Sequence, residues 1–177
     1  MTFDPYAALP SVPSFALTSS AFGDGDTLPM PQISAMASPD GGDATPQLSW
    51  SGAPEGTQGY ALTCLDPDAP TGSGFWHLAV FGIPASVTEL SEGAVVLDRI
   101  TDAALEGAHV LRNDGGVRGF VGAAPPPGHG VHRYMFVVHA LDVAELEIDE
   151  SASPGLLGFQ LFGHTLGRAR LTGVFGH

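Results

Sequence analysis

The chain has 177 residues, 44% of them hydrophobic and 14% charged, with 24 glycines, 15 prolines and a formal net charge of −13. That length suits one domain spanning 1–177 with a full hydrophobic core, and the composition argues against disorder. No lysine is present and six arginines face 19 acidic residues, so the surface repels nucleic-acid phosphates and anionic membranes. Any phosphate must therefore be held by a local site against the global field. Cys64 is the only cysteine, which excludes an internal disulfide and a cysteine zinc cluster. It lies in an apolar run and reads as a buried small hydrophobe. The first 20 residues show no basic segment leading into an apolar one, and no run reaches the ~20 apolar residues of a membrane span. A cytoplasmic protein is the expectation.

In chain order, residues 1–13 carry prolines at 5, 10 and 13 and read as a loosely ordered arm. Residues 14–18 suggest a short strand, and 28–33, broken by Pro29 and Pro31, at best an edge. Residues 48–51 form a short strand with Trp50 as a core residue. Residues 58–66 and 77–83 are apolar on both faces and belong mid-sheet, joined by the turn-rich loop 66–74 and so antiparallel neighbours. That pairing sets Asp66 beside His77. Residues 95–112 have weak periodicity, and Asn113 to Gly116 is a strong turn. Residues 133–141 form a third buried strand. Ser153-Pro154 reads as an N-cap with proline at the first helical position, and Phe159, Phe162, Leu166 and Ala169 recur at helical spacing. Residues 171–175 close the chain as a short strand.

Pro125-Pro126-Pro127-Gly128-His129-Gly130 is a stiff, shaped loop feeding the third strand. Alternation then points His132 and Tyr134 one way and Arg133 the other, toward an acid rather than a ligand. If three strand ends meet, Asp66, His77, His132 and Tyr134 line one cavity. Asp66 would orient one imidazole and favour its charged form. Two imidazoles, a phenol and loop N–H groups then make a donor-rich pocket for a small anion such as phosphate. Asp68 reads as a turn cap, and His129, His139 and His164 as structural or surface groups. A hydrolase using His and Asp is the catalytic alternative, but no serine or cysteine sits in a nucleophile motif. A site of two histidines and one aspartate for a metal lacks a helical zinc spacing.

Asp66-Pro67-Asp68-Ala69-Pro70, Phe75-Trp76-His77, Ile83-Pro84 and the run from Gly122 to Tyr134, in that order, resemble the phosphatidylethanolamine-binding protein family. This family is also called Raf kinase inhibitor-like, here of bacterial type. Residues 45–52 and the pair Gly163-His164 fit as well. The resemblance implies a mainly β fold, two antiparallel sheets in a Greek-key sandwich with a few short helices, one near the C-terminus. It implies a non-enzymatic, cofactor-free protein that takes phosphate-type anions or phospholipid head groups. Matching positions place that pocket at Asp66, Ala69, Pro70, His77, Ala124, Pro126, His132 and Tyr134. Family members elsewhere inhibit kinases or proteases through the surface around the pocket, so such a partner is implied as an alternative, and bacterial relatives often dimerise. Leu78, Gly115, Phe120 and Ala123 depart from the family pattern and bear on pocket shape.

Overall fold

The computed structural model describes residues 3–176. A 3-10 helix, Pro5–Ala8, precedes β1 (Ala16–Thr18), and a second, Met30–Gln32, precedes β2 (Leu48–Ser51). There follow β3 (Gly59–Asp66), β4 (Phe75–Pro84), β5 (Glu89–Leu90), β6 (Val95–Val96), β7 (Arg99–Ile100) and β8 (His109–Val110). The chain ends with β9 (His132–Leu141), the helix α1 (Pro154–His164) and β10 (Thr165–Phe175). Five strands form the main sheet in the order β10-β9-β3-β4-β8, three form a second sheet, β1-β2-β5, and β6 pairs with β7. Every pairing between these strands is antiparallel.

All eight residues of β3 are buried, because both faces of the main sheet are covered. Tyr60, Leu62 and Cys64 pack inward with Leu48 and Trp50 of the second sheet, and Trp50 meets Tyr60 edge-on at 5.5 Å. Ala61, Ala79, Phe81 and Leu141 pack outward under Leu157 and Leu161 of α1. Each leucine so buried contributes about 2 kcal/mol of transfer free energy. Doubly covered strands lose the polar alternation of a solvated sheet, which is why these runs read as continuously apolar. Among the described residues no helix is long and apolar enough to cross a membrane.

Four local expectations are corrected. Ser153 does cap α1, its Oγ accepting from the Leu156 N–H at 3.1 Å. However, the helix ends at His164, and Leu166 and Ala169 belong to β10. The buried helical positions are Pro154, Leu157 and Leu161, while Phe159 and Phe162 stand 73% and 60% exposed. The short closing strand is instead eleven residues long, since β9 offers an unpaired edge along its whole length and β10 fills it from Thr165 to Phe175. Residues 28–33 contain the second 3-10 helix rather than an edge strand. Finally, the arm is tied down. Asp4 pairs with Arg170, the Phe3 carbonyl accepts from Arg133, and Tyr6 lies against Thr63. Met1 and Thr2 of that arm lie outside the described residues.

Candidate functional site

The C-terminal end of β3 delivers Asp66 into a turn that the carboxylate itself shapes. Oδ1 accepts the N–H groups of Asp68 and Ala69 at 2.8 and 3.1 Å, an Asx-type arrangement that sets the Pro67–Pro70 loop. Oδ2 accepts from His132 Nδ1–H at 2.7 Å. Three donors thus compensate a carboxylate that is only 3% exposed, as a buried charge requires. Turn capping expected of Asp68 therefore falls to Asp66. Asp68 instead takes Arg133 in a two-pronged ion pair, with both N···O distances 2.7 Å, and that pairing lowers its pKa. Arg133 points away from the pocket toward an acid, as strand alternation requires.

His132 opens β9 and is buried. Its Nε2 lies 2.7 Å from His129 Nδ1, so one proton is shared across that contact and Asp66, His132 and His129 form a continuous hydrogen-bonded row. His129 is exposed, and its neighbours Gly128 and Gly130 adopt φ of +78° and +95°. Those left-handed conformations turn the loop tip so that the ring folds back over His132, which glycine permits at little steric cost. Asp66 does not bond His77, although they sit at adjoining strand ends, where Asp66 is registered with Phe75 and Leu65 with Trp76. His77 places Nδ1 2.7 Å from the Val121 carbonyl. A carbonyl only accepts, so this nitrogen carries the hydrogen. Burial lowers the His77 pKa, an effect the Val121 hydrogen bond opposes only in part. The neutral ring therefore presents Nε2 as an acceptor.

Tyr134 stands two residues along β9 and meets His77 edge-on at 5.1 Å. Its hydroxyl is buried and finds no acceptor among the described residues, the nearby Ala124 backbone N–H being itself a donor. Burial, reinforced by the Asp66 charge, raises the phenol well above its ordinary pKa. It is thus a proton donor with nothing to donate to. Such a group costs about 1–3 kcal/mol if left unmade.

These groups border one cavity of about 420 Å³, and all eight positions named from the sequence, Asp66, Ala69, Pro70, His77, Ala124, Pro126, His132 and Tyr134, line it. Met36 and Val121, from segments without strand or motif signals, also line it, as does Phe75, which the sequence placed in a motif but not in the pocket. His129 was missed too, although a histidine between two glycines, three residues before His132, was a usable signal. Of the four departures from the family pattern only Gly115 lines the cavity, leaving its mouth open beside Phe75. Leu78, Phe120 and Ala123 are buried in the core between the sheets.

Comparison with known proteins gives one consistent result. The family model described as Phosphatidylethanolamine-binding protein matches residues 18–176. Protein YbhB of Escherichia coli is 41% identical over 160 residues, covering 90% of this chain and 98% of the relative. The crystal structure of E. coli YbcL, described as a member of the mammalian PEBP family, superposes with a TM-score of 0.85 at 39% identity, covering 93% of this chain and 99% of that one. A phosphatidylethanolamine-binding protein homologue from Chlamydia trachomatis gives a TM-score of 0.74 at 29% identity, covering 93% and 98%.

Proposed function

Because the chain belongs to the phosphatidylethanolamine-binding protein family, we propose that it is a non-enzymatic binding protein whose pocket takes the phosphate group of a phosphorylated small molecule or phospholipid head group. The carrying observation is the orphaned Tyr134 hydroxyl at the floor of a cavity that also holds His77 and His132. A tetrahedral anion supplies the acceptor that Tyr134 lacks. The binding reading is favoured over hydrolysis because, among the described residues, the lining offers no serine or cysteine nucleophile, and its one hydroxyl besides Tyr134, Thr71, already bonds the Gly74 carbonyl.

Asp66 constrains how an anion enters. Its charge is already inside the cavity wall and His77 is neutral when the pocket is empty. Beside the Tyr134 hydroxyl, an incoming anion gains a second donor when His77 takes up a proton and turns Nε2 into a donor. Binding thus raises the His77 pKa, and anion affinity rises as the pH falls through the range in which His77 takes up its proton. Sulfate, which does not titrate in that range, isolates the protein's contribution from that of phosphate.

The test is an NMR titration of histidine side-chain signals with sulfate, inorganic phosphate and phosphoethanolamine. Saturable shifts at His77 and His132 are expected, with affinity about tenfold weaker in Tyr134→Phe. Wild-type affinity in both Tyr134→Phe and His77→Ala would sink the assignment. A second reading, docking of a regulated protein over the rim, is favoured by Met36, which lines the pocket and is 89% exposed, and by Val131, next to His132 in the chain and 66% exposed. A partner whose binding survives Tyr134→Phe but not Val131→Asp would support it.

A further inference from the structure

The outer face of the main sheet carries a second cavity, of about 190 Å³, between the Pro5–Ala8 helix and α1. Its floor is set by Thr63, Leu65, His139 and Trp76, and Leu161 and Phe162 of α1 form a wall. Arg168, from β10, borders it and is the unusual group. In a chain with 19 acidic residues its guanidinium makes no ion pair and no side-chain hydrogen bond among the described residues. Its Nε is buried without an acceptor. The Tyr6 ring, with its centroid 5.7 Å from the guanidinium carbon, is its side-chain partner among the described residues.

Arg168 also borders a cavity that holds Asp4, Asp24 and Arg170, where Arg170 already pairs with Asp4 and the two acids balance the two arginines. Among the described residues no acid lines the 190 Å³ cavity. Its polar groups are neutral. Burial pulls His139 down to about 3 and pushes the Tyr6 phenol up to about 12, so neither carries charge near neutrality. A positive fork beside neutral hydroxyls and apolar walls matches one ligand chemistry, a planar carboxylate on a small apolar body. We propose that this cavity is a second binding site, separate from the Tyr134 pocket, for a short-chain monocarboxylate held by Arg168 with its hydrocarbon part against Leu161, Phe162 and Trp76.

The test is a titration of the full chain with hexanoate, and with hexylammonium as the charge-reversed probe, following the Trp76 indole N–H by NMR. A saturable Trp76 shift with hexanoate at low-millimolar concentration, absent with hexylammonium, is the expected result. Affinity should fall at least about tenfold in Arg168→Gln, equivalent to about 1.4 kcal/mol. Phe162→Asp, at a position 60% exposed and so compatible with folding, sets a carboxylate at the mouth and should abolish the shift. His77→Ala, which disables the other pocket, should leave it intact. Equal response to both probes, or persistence in Phe162→Asp and Arg168→Gln, reduces the cavity to an apolar crevice and overturns the proposal. So does the absence of a saturable shift in the wild type.

Discussion

Where β3 ends and β9 begins, the inner and outer faces of the main sheet hold two acid–base pairs of opposite character. Inside, Asp66 and His132 meet at 2.7 Å with side chains 4% and 2% exposed. Outside, Asp68 and Arg133 meet at the same distance with side chains 26% and 20% exposed. The acids are two residues apart and their partners adjacent, so alternation along β9 alone sends one pair to each face. Burial then separates their roles. The inner pair is held in a water-poor wall where each hydrogen bond is obligatory and the geometry of a pocket depends on it. The outer pair is a clamp that draws the arm onto the sheet through the Phe3 carbonyl. Identical distances therefore say little about contribution. Desolvation does.

The largest expected effect breaks the inner pair. Asp66→Ala removes the acceptor of His132 and of two loop N–H groups, and should destabilise by about 3–5 kcal/mol. Asp68→Ala should cost about 1 kcal/mol, because its partner keeps access to water. Urea unfolding of both variants checks this, and equal losses would refute the contrast between the faces.

Acid titration gives the next effect, and it comes from the outer face. Burial holds His139 at about 3 in the folded chain against 6.5 for the free side chain. Between those values the unfolded chain takes up the proton first, so stability is full above about pH 6.5 and lost progressively as the pH falls toward about 3. His139→Asn removes that proton uptake. Its stability loss between pH 7 and pH 4 should be about 3 kcal/mol smaller than that of the wild type. Parallel curves would show that His139 is not the acid-sensitive group.

The smallest effect concerns the row Asp66, His132, His129. His129 occupies the outward nitrogen of His132, and an anion that uses this nitrogen must first displace it. His129→Ala should tighten sulfate binding by about two- to fivefold while shifting stability by less than about 0.5 kcal/mol. Weaker binding would instead place His129 among the ligand's own contacts.

Sequence reading reached much of the site because the relevant signals are short in range. The proline-glycine loop before β9, the Asp-Pro pairs after β3 and strand alternation are each decided within a few residues. They set Asp66, His77, His132 and Tyr134 in the lining of one cavity and turned Arg133 away. Two doubly covered strands were legible for the same reason, as unbroken apolar runs bounded by turn residues. Helical spacing misled at Phe159 and Phe162, since a short glycine-rich helix buries whichever face its neighbours cover, and here Leu157 and Leu161 meet the sheet.

What the amino-acid order settled by itself was therefore local: where strands start, which side chains share a face, and which loop is stiff. Tertiary structure decided which imidazole Asp66 holds, which nitrogen of His77 bears the hydrogen, and which buried donors, the Tyr134 hydroxyl and Arg168 Nε, find no acceptor among the described residues. Those outcomes depend on contacts between residues far apart in the chain and on how much water each contact excludes, and neither quantity is encoded in spacing.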